Sequence, residues 1–443
     1  MRITTVGYIA FMGYIFVTVF MKYSRVLPFY IFMTAFTTVA VFTVGENNII
    51  VYQPLMLVLL SKYLRRTRGK LAIELNMLTW FVLYSLLSIP LTLLFSGIYV
   101  PLVDGGDGYA AFSPQQFTQW MYLAFGYLTY YIVRNAVRYG DINYGKIERA
   151  FIIAFAGVIV IGWLQKVLPL SIVNTYFRNS TLVGYDYEGA RISSTFGEPS
   201  FLALFVTPII AVLIYRCINE AENRIVNLMM IAAAVMLMVN TNSSSFYFGM
   251  GVFILMVIVG ARKVENNKMQ IIFFLGLLTI AVALPFRSAL SNGLQQLFVK
   301  LTADSASVSG SRRMYNFTNC IKAFLRSPVL GIGFGTLRGT DMFSRLLAET
   351  GIIGSGLLIG YSVNMLLKLK RINTDETKRL KILMVISFAI MTISVPDFGF
   401  LFIWIYWGAG DGVIWRHHSQ AVRCAGREWK GICHNWKSDD CFL

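Results

Sequence analysis

Charged residues are scarce in this chain of 443 residues: 14% are Asp, Glu, Lys or Arg, whereas 56% are hydrophobic. Soluble globular domains carry about 25% charged residues and roughly 45–50% apolar residues. The mean hydropathy is +0.61. This composition excludes a soluble globular enzyme and predicts an all-α polytopic integral membrane protein.

Cysteine and histidine are rare as well, with five and three residues in the whole chain. The cysteines show no paired spacing, which argues against a disulfide framework. Four residues near the C-terminus form an irregularly spaced zinc candidate, Cys424, Cys433, His434 and Cys441. We expect no metal and no cofactor. The excess of 39 Lys and Arg over 22 Asp and Glu is expected to set membrane topology rather than to bind nucleic acid.

Apolar runs of spanning length predict about 12–13 transmembrane helices. They lie at about 4–21, 27–44, 48–62, 72–97, 115–133, 149–168, 200–215, 225–240, 245–261, 271–286, 346–367, 383–396 and 399–416. Lys22 and Arg25 follow the first run in place of a cleavage site, so we expect an uncleaved span. We therefore expect one transmembrane domain over 1–416, and a polar tail over 417–443 that lies outside the fold.

Lys and Arg cluster in alternate connections, at about 22–25, 62–70, 134–149, 216–224, 262–268 and 368–381. These connections are expected to face the cytoplasm. The other set then faces outward and includes two long loops, 171–199 and 287–345. Loop 287–345 carries eight cations against two acids, Asp304 and Asp341. Such an excess outside the membrane indicates contact with anionic headgroups or a binding site for an anion.

Within the second loop, helical periodicity predicts an amphipathic helix over Ser311–Ser327 at the membrane surface. Ser311 is the expected N-cap, and Pro328 is the expected stop. Arg312 and Arg313 then lie in the first turn, beside free backbone N–H groups, and form a phosphate cradle. The glycine-rich run 330–335 lacks the strand and helix of a nucleotide loop, so we expect a tight turn.

Four short motifs follow one another along the outer loops. They are 191–200 (RISSTFGEPS), 311–315 (SRRMY), 327–335 (SPVLGIGFG) and 347–354 (LAETGIIG). Their order and placement, over about residues 48–396, resemble the O-antigen polymerase (Wzy) and O-antigen ligase group. The resemblance implies a GT-C-like membrane glycosyltransferase that works without metal or nucleotide, with its active site facing the periplasm across the bacterial inner membrane.

The resemblance also implies substrates and partners. Donor and acceptor would be undecaprenyl-diphosphate-linked oligosaccharides, held among membrane lipids. A chain-length regulator and a flippase of the same pathway would be partners. The product would be a surface polysaccharide such as O-antigen, because an acceptor hydroxyl attacks the donor sugar and the lipid diphosphate leaves.

Arginine suits this chemistry, since its planar guanidinium group forms two parallel hydrogen bonds to phosphate oxygens. The residues expected to bind the diphosphate are Arg191 and Arg312, followed by Arg313, Arg338 and Arg345. Arg178 and Glu349 are expected to support them; Arg178 and Arg345 match an Arg-x10-Gly spacing associated with some members.

A general base would be an outward carboxylate. Asp341 and Glu198 rank first, ahead of Glu349, Asp186 and Glu188. A structural role stays open for Glu198 and Glu349, which are also placed to pair with an arginine or to cap the next helix.

The positions of the histidines favour the polymerase over the ligase. Ligases of the group resemble one another in a His-Asn-like pair before the Glu-x-Gly motif, where this chain has Thr340 and Asp341, and all three histidines lie in the tail. The alternatives are the ligase, a flippase or transporter for the same lipid-linked sugars, and a peptidoglycan-type polymerase. A transporter would place ionisable residues near mid-membrane, whereas the cations here cluster outside.

Overall fold

The computed structural model describes residues 2–44, 47–69, 73–102, 107–180, 191–220, 223–241, 243–260 and 308–435. This part is 74% helical and contains fourteen α-helices. The first seven helices are α1 (Thr5–Phe20), α2 (Tyr23–Met33), α3 (Tyr52–Arg66), α4 (Met77–Ser88), α5 (Pro114–Arg138), α6 (Tyr144–Val167) and α7 (Leu170–Tyr176). The others are α8 (Pro199–Asn219), α9 (Arg224–Asn240), α10 (Ser244–Gly260), α11 (Val308–Arg326), α12 (Met342–Ile372), α13 (Asp375–Ser394) and α14 (Leu401–Asn435).

Five short strands form two small antiparallel sheets. The first has the order β1 (Arg2–Ile3), β2 (Ala40–Val44) and β3 (Asn47–Ile50). The second is a hairpin of β4 (Tyr99–Pro101) and β5 (Asp107–Tyr109). The hairpin lies in the connection between the predicted runs 72–97 and 115–133.

Three helices of the described part are long and apolar enough to cross a membrane: Tyr144–Val167, Pro199–Asn219 and Met342–Ile372. Four shorter apolar helices accompany them, Thr5–Phe20, Met77–Leu93, Arg224–Asn240 and Ser244–Val259. The helical class of the prediction is therefore confirmed. The predicted run 271–286 lies outside the described residues.

Two predicted spans differ from the structure. The run 27–44 is not one helix, because α2 ends at Met33 and residues 40–44 form β2. The β-branched and aromatic residues of this strand favour extended backbone. The run 48–62 likewise divides into a strand and α3, which spans 15 residues.

The chain is helical beyond residue 416. Helix α14 continues without a break from Leu401 to Asn435, so most of the predicted polar tail is helical. That the tail lies outside the fold stays a prediction.

Two hydrogen bonds join parts of the chain that are distant in sequence. Lys62 Nζ donates to the carbonyl of Met21 at 2.6 Å, and Ser245 Oγ donates to Ser394 Oγ at 2.8 Å.

Cations that the sequence analysis assigns to cytoplasmic connections pair with acids from other helices. Arg379 lies 3.1 Å from Glu148 and 2.5 Å from Glu220, and Arg216 Nε lies 2.9 Å from Glu220. This network joins α6, α8 and α13. A second network, in which Arg134 contacts Glu74 and Asp411, joins α5 to α14 and to the start of α4. The sequence indicated these arginines only as topology signals.

Helices α5 and α14 approach closely because glycines of α14 lie against the backbone of α5. A Cβ at Gly408 would lie 2.6 Å from the carbonyl oxygen of Tyr130, and one at Gly412 would lie 2.8 Å from that of Arg134. Small residues allow helix backbones to approach in this way.

Gly408→Ala and Gly412→Ala are therefore expected to lower the midpoint of thermal unfolding in detergent, since overpacking costs about 1–3 kcal/mol. Gly356→Ala is the matched control, because its new Cβ would have no heavy atom within 4 Å. It should stabilise its helix by about 0.5–1 kcal/mol. Equal midpoints for the three variants would contradict the close approach.

Candidate functional site

Helix α11 carries Arg312 and Arg313 and begins earlier than predicted. It runs Val308–Arg326, so Ser311 is not its N-cap and both arginines follow the first turn. The predicted phosphate cradle is therefore wrong in its placement. Serine occurs at 305, 307, 309 and 311, so residue type does not select the cap. The predicted stop is confirmed, because the helix ends just before Ser327 and Pro328. The side chain of Arg312 lies outside the described part.

One side of α11 is polar and faces the interior of the protein. Asn316 and Asn319 are 6% and 7% exposed, whereas Met314 and Phe317 are 44% and 40% exposed. In the described part, Asn316 Oδ1 and Asn319 Nδ2 are buried without a hydrogen-bond partner. Because buried polar atoms are normally paired, this side of α11 is suited to a polar ligand. The exposed apolar side is the kind that a helix at a membrane surface presents.

Arg313 lies on the same polar side, one turn before Asn316. Its Nη1 atom is also buried without a partner among the described residues. Its guanidinium interacts electrostatically with Glu198, Arg191 and Asp341. Burial lowers the pKa of Arg313, and the two carboxylates oppose that shift; arginine stays protonated in proteins. Three other predicted site residues, Arg191, Glu198 and Asp341, thus lie within electrostatic range of Arg313.

Arg191 and Glu198 reach this cluster from the loop before α8. Arg191 is exposed, and its Nε donates to the carbonyl of Thr241 at 3.2 Å. Glu198 is exposed and occupies the N-cap position of α8, but its side chain makes no capping hydrogen bond. Its Oε2 accepts from Ser200 Oγ at 3.2 Å. The Glu198 carboxylate is therefore open to a substrate hydroxyl.

Asp341 is the N-cap of α12 and is only 7% exposed. Its two oxygens accept from Ser344 N at 2.7 Å and Ser344 Oγ at 2.6 Å. Burial raises the pKa of Asp341, which these hydrogen bonds and the Arg313 charge oppose. Asp341 therefore has a structural role of its own, in addition to its place in the cluster.

Glu349 and Arg345 form a buried pair in α12. They are 1% and 6% exposed, with Arg345 Nε 3.1 Å from Glu349 Oε1. Arg345 Nη1 also donates to the carbonyl of Pro396 at 2.6 Å, and Leu337 N donates to Glu349 Oε1 at 3.4 Å. The structural role left open for Glu349 is observed here. Arg345 is engaged in the same contacts, which disfavours it as a ligand of the diphosphate.

The glycine-rich run forms the predicted tight turn and packs against a break in α12. Gly331, Gly333 and Gly335 have φ values of 77°, 110° and 75°. Gly351 has φ 60° and interrupts the helical backbone of α12. Before this break, the carbonyl of Ala348 accepts from Ile332 N at 2.9 Å. After the break, the backbone amides of Ile352 and Ile353 donate to the carbonyls of Pro328 and Val329.

Two other predicted arginines lie in different surroundings. Arg338 is exposed, and its backbone N donates to the carbonyl of Pro101 in β4. Arg178 is buried after α7, and its backbone N donates to the carbonyl of Val173. Asp186 and Glu188 lie outside the described residues, as do Cys441 and the side chains of Cys424, Cys433 and His434.

The sequence analysis placed Asn316 and Asn319 within the predicted amphipathic helix but did not assign them to the site. Their spacing from Arg313, three and six residues, was the available signal, because it places all three on one side of the helix.

The cluster combines two cations, Arg191 and Arg313, with two carboxylates, Glu198 and Asp341. Such an arrangement can bind an anion and can accept a proton from a hydroxyl. No protein-family model matches the chain, and no curated protein matches it. Its function is therefore inferred from the site itself.

Asp341→Asn and Asp341→Ala separate the capping role of this residue from its charge. Asn caps a helix about as well as Asp, whereas Ala costs about 0.5–2 kcal/mol. In detergent, the thermal unfolding midpoint of Asp341→Asn should therefore be similar to that of wild type, and the midpoint of Asp341→Ala should be lower than both.

The same variants predict a pH dependence. Because burial raises the pKa of Asp341 in the folded state, its ionisation destabilises the fold. The wild type should gain stability relative to Asp341→Asn as the pH falls through the folded pKa, and the gain is complete below the ordinary value of 3.8. Parallel pH profiles of the two proteins would contradict this environment for Asp341.

Proposed function

We propose that the protein is a polymerase that joins undecaprenyl-diphosphate-linked oligosaccharide repeat units into a surface polysaccharide. The observation that carries the proposal is Arg313, whose buried Nη1 has no partner in the described part and whose neighbours are Arg191, Glu198 and Asp341. Unpaired buried donors beside an exposed carboxylate suit a diphosphate leaving group next to a reacting hydroxyl.

The reaction forms one bond and breaks one. The oxygen of the acceptor hydroxyl bonds to the anomeric carbon of the donor sugar, and the bond from that carbon to the diphosphate oxygen breaks. Negative charge grows on the leaving diphosphate, where fixed cations lower the barrier because they are already oriented. Arg313 and Arg191 supply that charge, and Asn316 and Asn319 supply further polar contacts.

The proton of the acceptor hydroxyl passes to a carboxylate. Glu198 is the better base of the two first-ranked residues, since it is exposed and Asp341 has both oxygens bonded to Ser344. Asp341 then acts by holding Ser344 and by its charge beside Arg313.

The proposed setting is the bacterial inner membrane, with a GT-C-like arrangement of helices and the site at the periplasmic end. Three helices long and apolar enough to cross a membrane support a membrane location. The substrate lipid would reach the site from the bilayer beside the apolar side of α11. A chain-length regulator and a flippase of the pathway are the expected partners. Of the alternatives, a ligase would use a histidine base, and all three histidines lie in the C-terminal tail.

Complementation of a gene-deletion strain tests the proposal, with the surface polysaccharide resolved on a gel. The deletion should leave a core bearing a single repeat unit, and wild type should restore the long ladder. Arg313→Lys and Glu198→Gln should fail to restore it, since loss of one oriented group costs about 10²–10³ in rate and Lys lacks the bidentate fork.

Arg326→Lys is the matched control. Arg326 is the exposed last residue of the same helix, so this variant should restore the ladder. If no repeat unit reaches the core in the deletion strain, the protein is a ligase or a flippase and the polymerase proposal is wrong. Full ladders from both site variants would remove the cluster from the mechanism.

A further inference from the structure

The segment between Arg191 and Glu198 is buried although both of these residues are exposed. Residues 192–197 are all buried, and they lead from one exposed site residue to the other. Within the described part of the chain, this segment belongs to no helix or strand. Its buried backbone groups therefore need hydrogen-bond partners that regular secondary structure does not supply.

Gln165, near the end of α6, provides the first of these partners. Its side chain is buried, and its Oε1 atom accepts from Ser194 N at 2.8 Å and from Ser193 N at 3.2 Å. One side-chain oxygen thus satisfies two consecutive buried amides. Ser194 Oγ also donates to the carbonyl of Val158 at 2.6 Å. Helix α6 therefore holds the middle of the segment through three hydrogen bonds.

The connection after α2 holds the next residue of the segment. Thr195 Oγ1 donates to the carbonyl of Ala35 at 2.7 Å. The carbonyl of Thr195 accepts from Thr37 Oγ1 at 3.0 Å and from Thr38 N at 3.1 Å. The segment is therefore fixed by two separate parts of the chain, one on each side of the bond between residues 194 and 195.

The backbone conformation of Ser194 depends on these contacts. Its φ angle is 53°, in the left-handed region that residues other than glycine rarely adopt. Such a conformation persists where the surrounding structure over-determines it. Gln165 binds the backbone amide of this residue, so without Gln165 we expect the segment to relax and to change the direction of the chain towards Glu198.

We propose that Gln165 is a positioning residue that sets the places of Arg191 and Glu198 in the Arg313 cluster. This inference rests on the proposed function and names how its base and one of its cations are held. Ser194 follows Arg191 by three residues and precedes Glu198 by four, so a shift of its backbone moves both. A misplacement of about 1 Å can cost about 10²-fold in rate. Gln165 can therefore control the reaction without touching the substrate.

Gln165→Met is the test variant, because methionine has a similar length but only a weak sulfur acceptor. Gln165→Glu is the conservative variant, since either form of a carboxyl group keeps an oxygen acceptor at the same reach. Ser193→Ala is the matched control within the segment. Its hydroxyl is buried without a partner among the described residues, and the alanine keeps the backbone amide that binds Gln165.

The rate of polymerisation is measured with purified proteins in nanodiscs, at a saturating concentration of the lipid-diphosphate-linked repeat unit extracted from the deletion strain. Gln165→Met should be slower than wild type by about tenfold or more, whereas Gln165→Glu and Ser193→Ala should match wild type. Gly408→Ala, in which the new methyl group would crowd α5, is the control for lost stability alone. It should lower the unfolding midpoint and keep the wild-type rate.

A double variant separates positioning from a structural role. Once Glu198→Gln has removed the base, adding Gln165→Met should slow the reaction by less than its effect in the wild type, because the two residues act through the same group. Independent effects that multiply in the double variant would overturn the positioning role.

Two further results would also overturn the inference while leaving the polymerase intact. One is a wild-type rate in Gln165→Met. The other is an equal loss of rate in Gln165→Met and Gly408→Ala at equal unfolding midpoints, which would make Gln165 only structural. Folded, substrate-bound wild type that forms no polymer would overturn the proposed function, and the inference with it.

Discussion

The break in helix α12 at Gly351 is the constraint on which the region around the Arg313 cluster depends. A helix interrupted in this way exposes backbone carbonyls and amides that must find partners. Backbone groups of residues 328–333 supply these partners. Further along the same loop, Leu337 N donates to Glu349, which is paired with the buried Arg345 of the same helix. Removing one partner of such a pair costs about 3–5 kcal/mol, because the other charge is left buried. Both α11 and the N-cap Asp341 adjoin this fastened loop, so the position of the proposed site follows from it.

Electrostatics gives the region around Arg313 its character. There, cations face buried amides that lack partners in the described part, and the region suits a diphosphate. The exposed carboxylate of Glu198 interacts with the same guanidinium, so that a proton acceptor accompanies the cations.

Part of this organisation could be predicted from the sequence, and the features that could not be predicted have physical causes. Hydropathy predicted the helical class. Periodicity predicted α11 with its stop at Pro328. The motifs directed attention to Arg191, Glu198 and Arg312, with Arg313 as a second choice, and Asp341 was selected as an outward carboxylate. The sequence could not predict strand β2 within an apolar run, because a buried strand and a buried helix both contain such apolar residues. Nor could it pair Arg345 with Glu349 rather than with substrate, since this contact depends on tertiary packing.

The central claim is that this outer site forms a glycosidic bond as a lipid diphosphate departs. The most direct test is to incubate the purified protein, in nanodiscs, with the lipid-diphosphate-linked repeat unit extracted from a deletion strain, and to follow the products by mass spectrometry. The account predicts chains of two or more repeats, with one free lipid diphosphate released for each bond formed. Unchanged single repeats in the presence of folded, substrate-bound protein would contradict it.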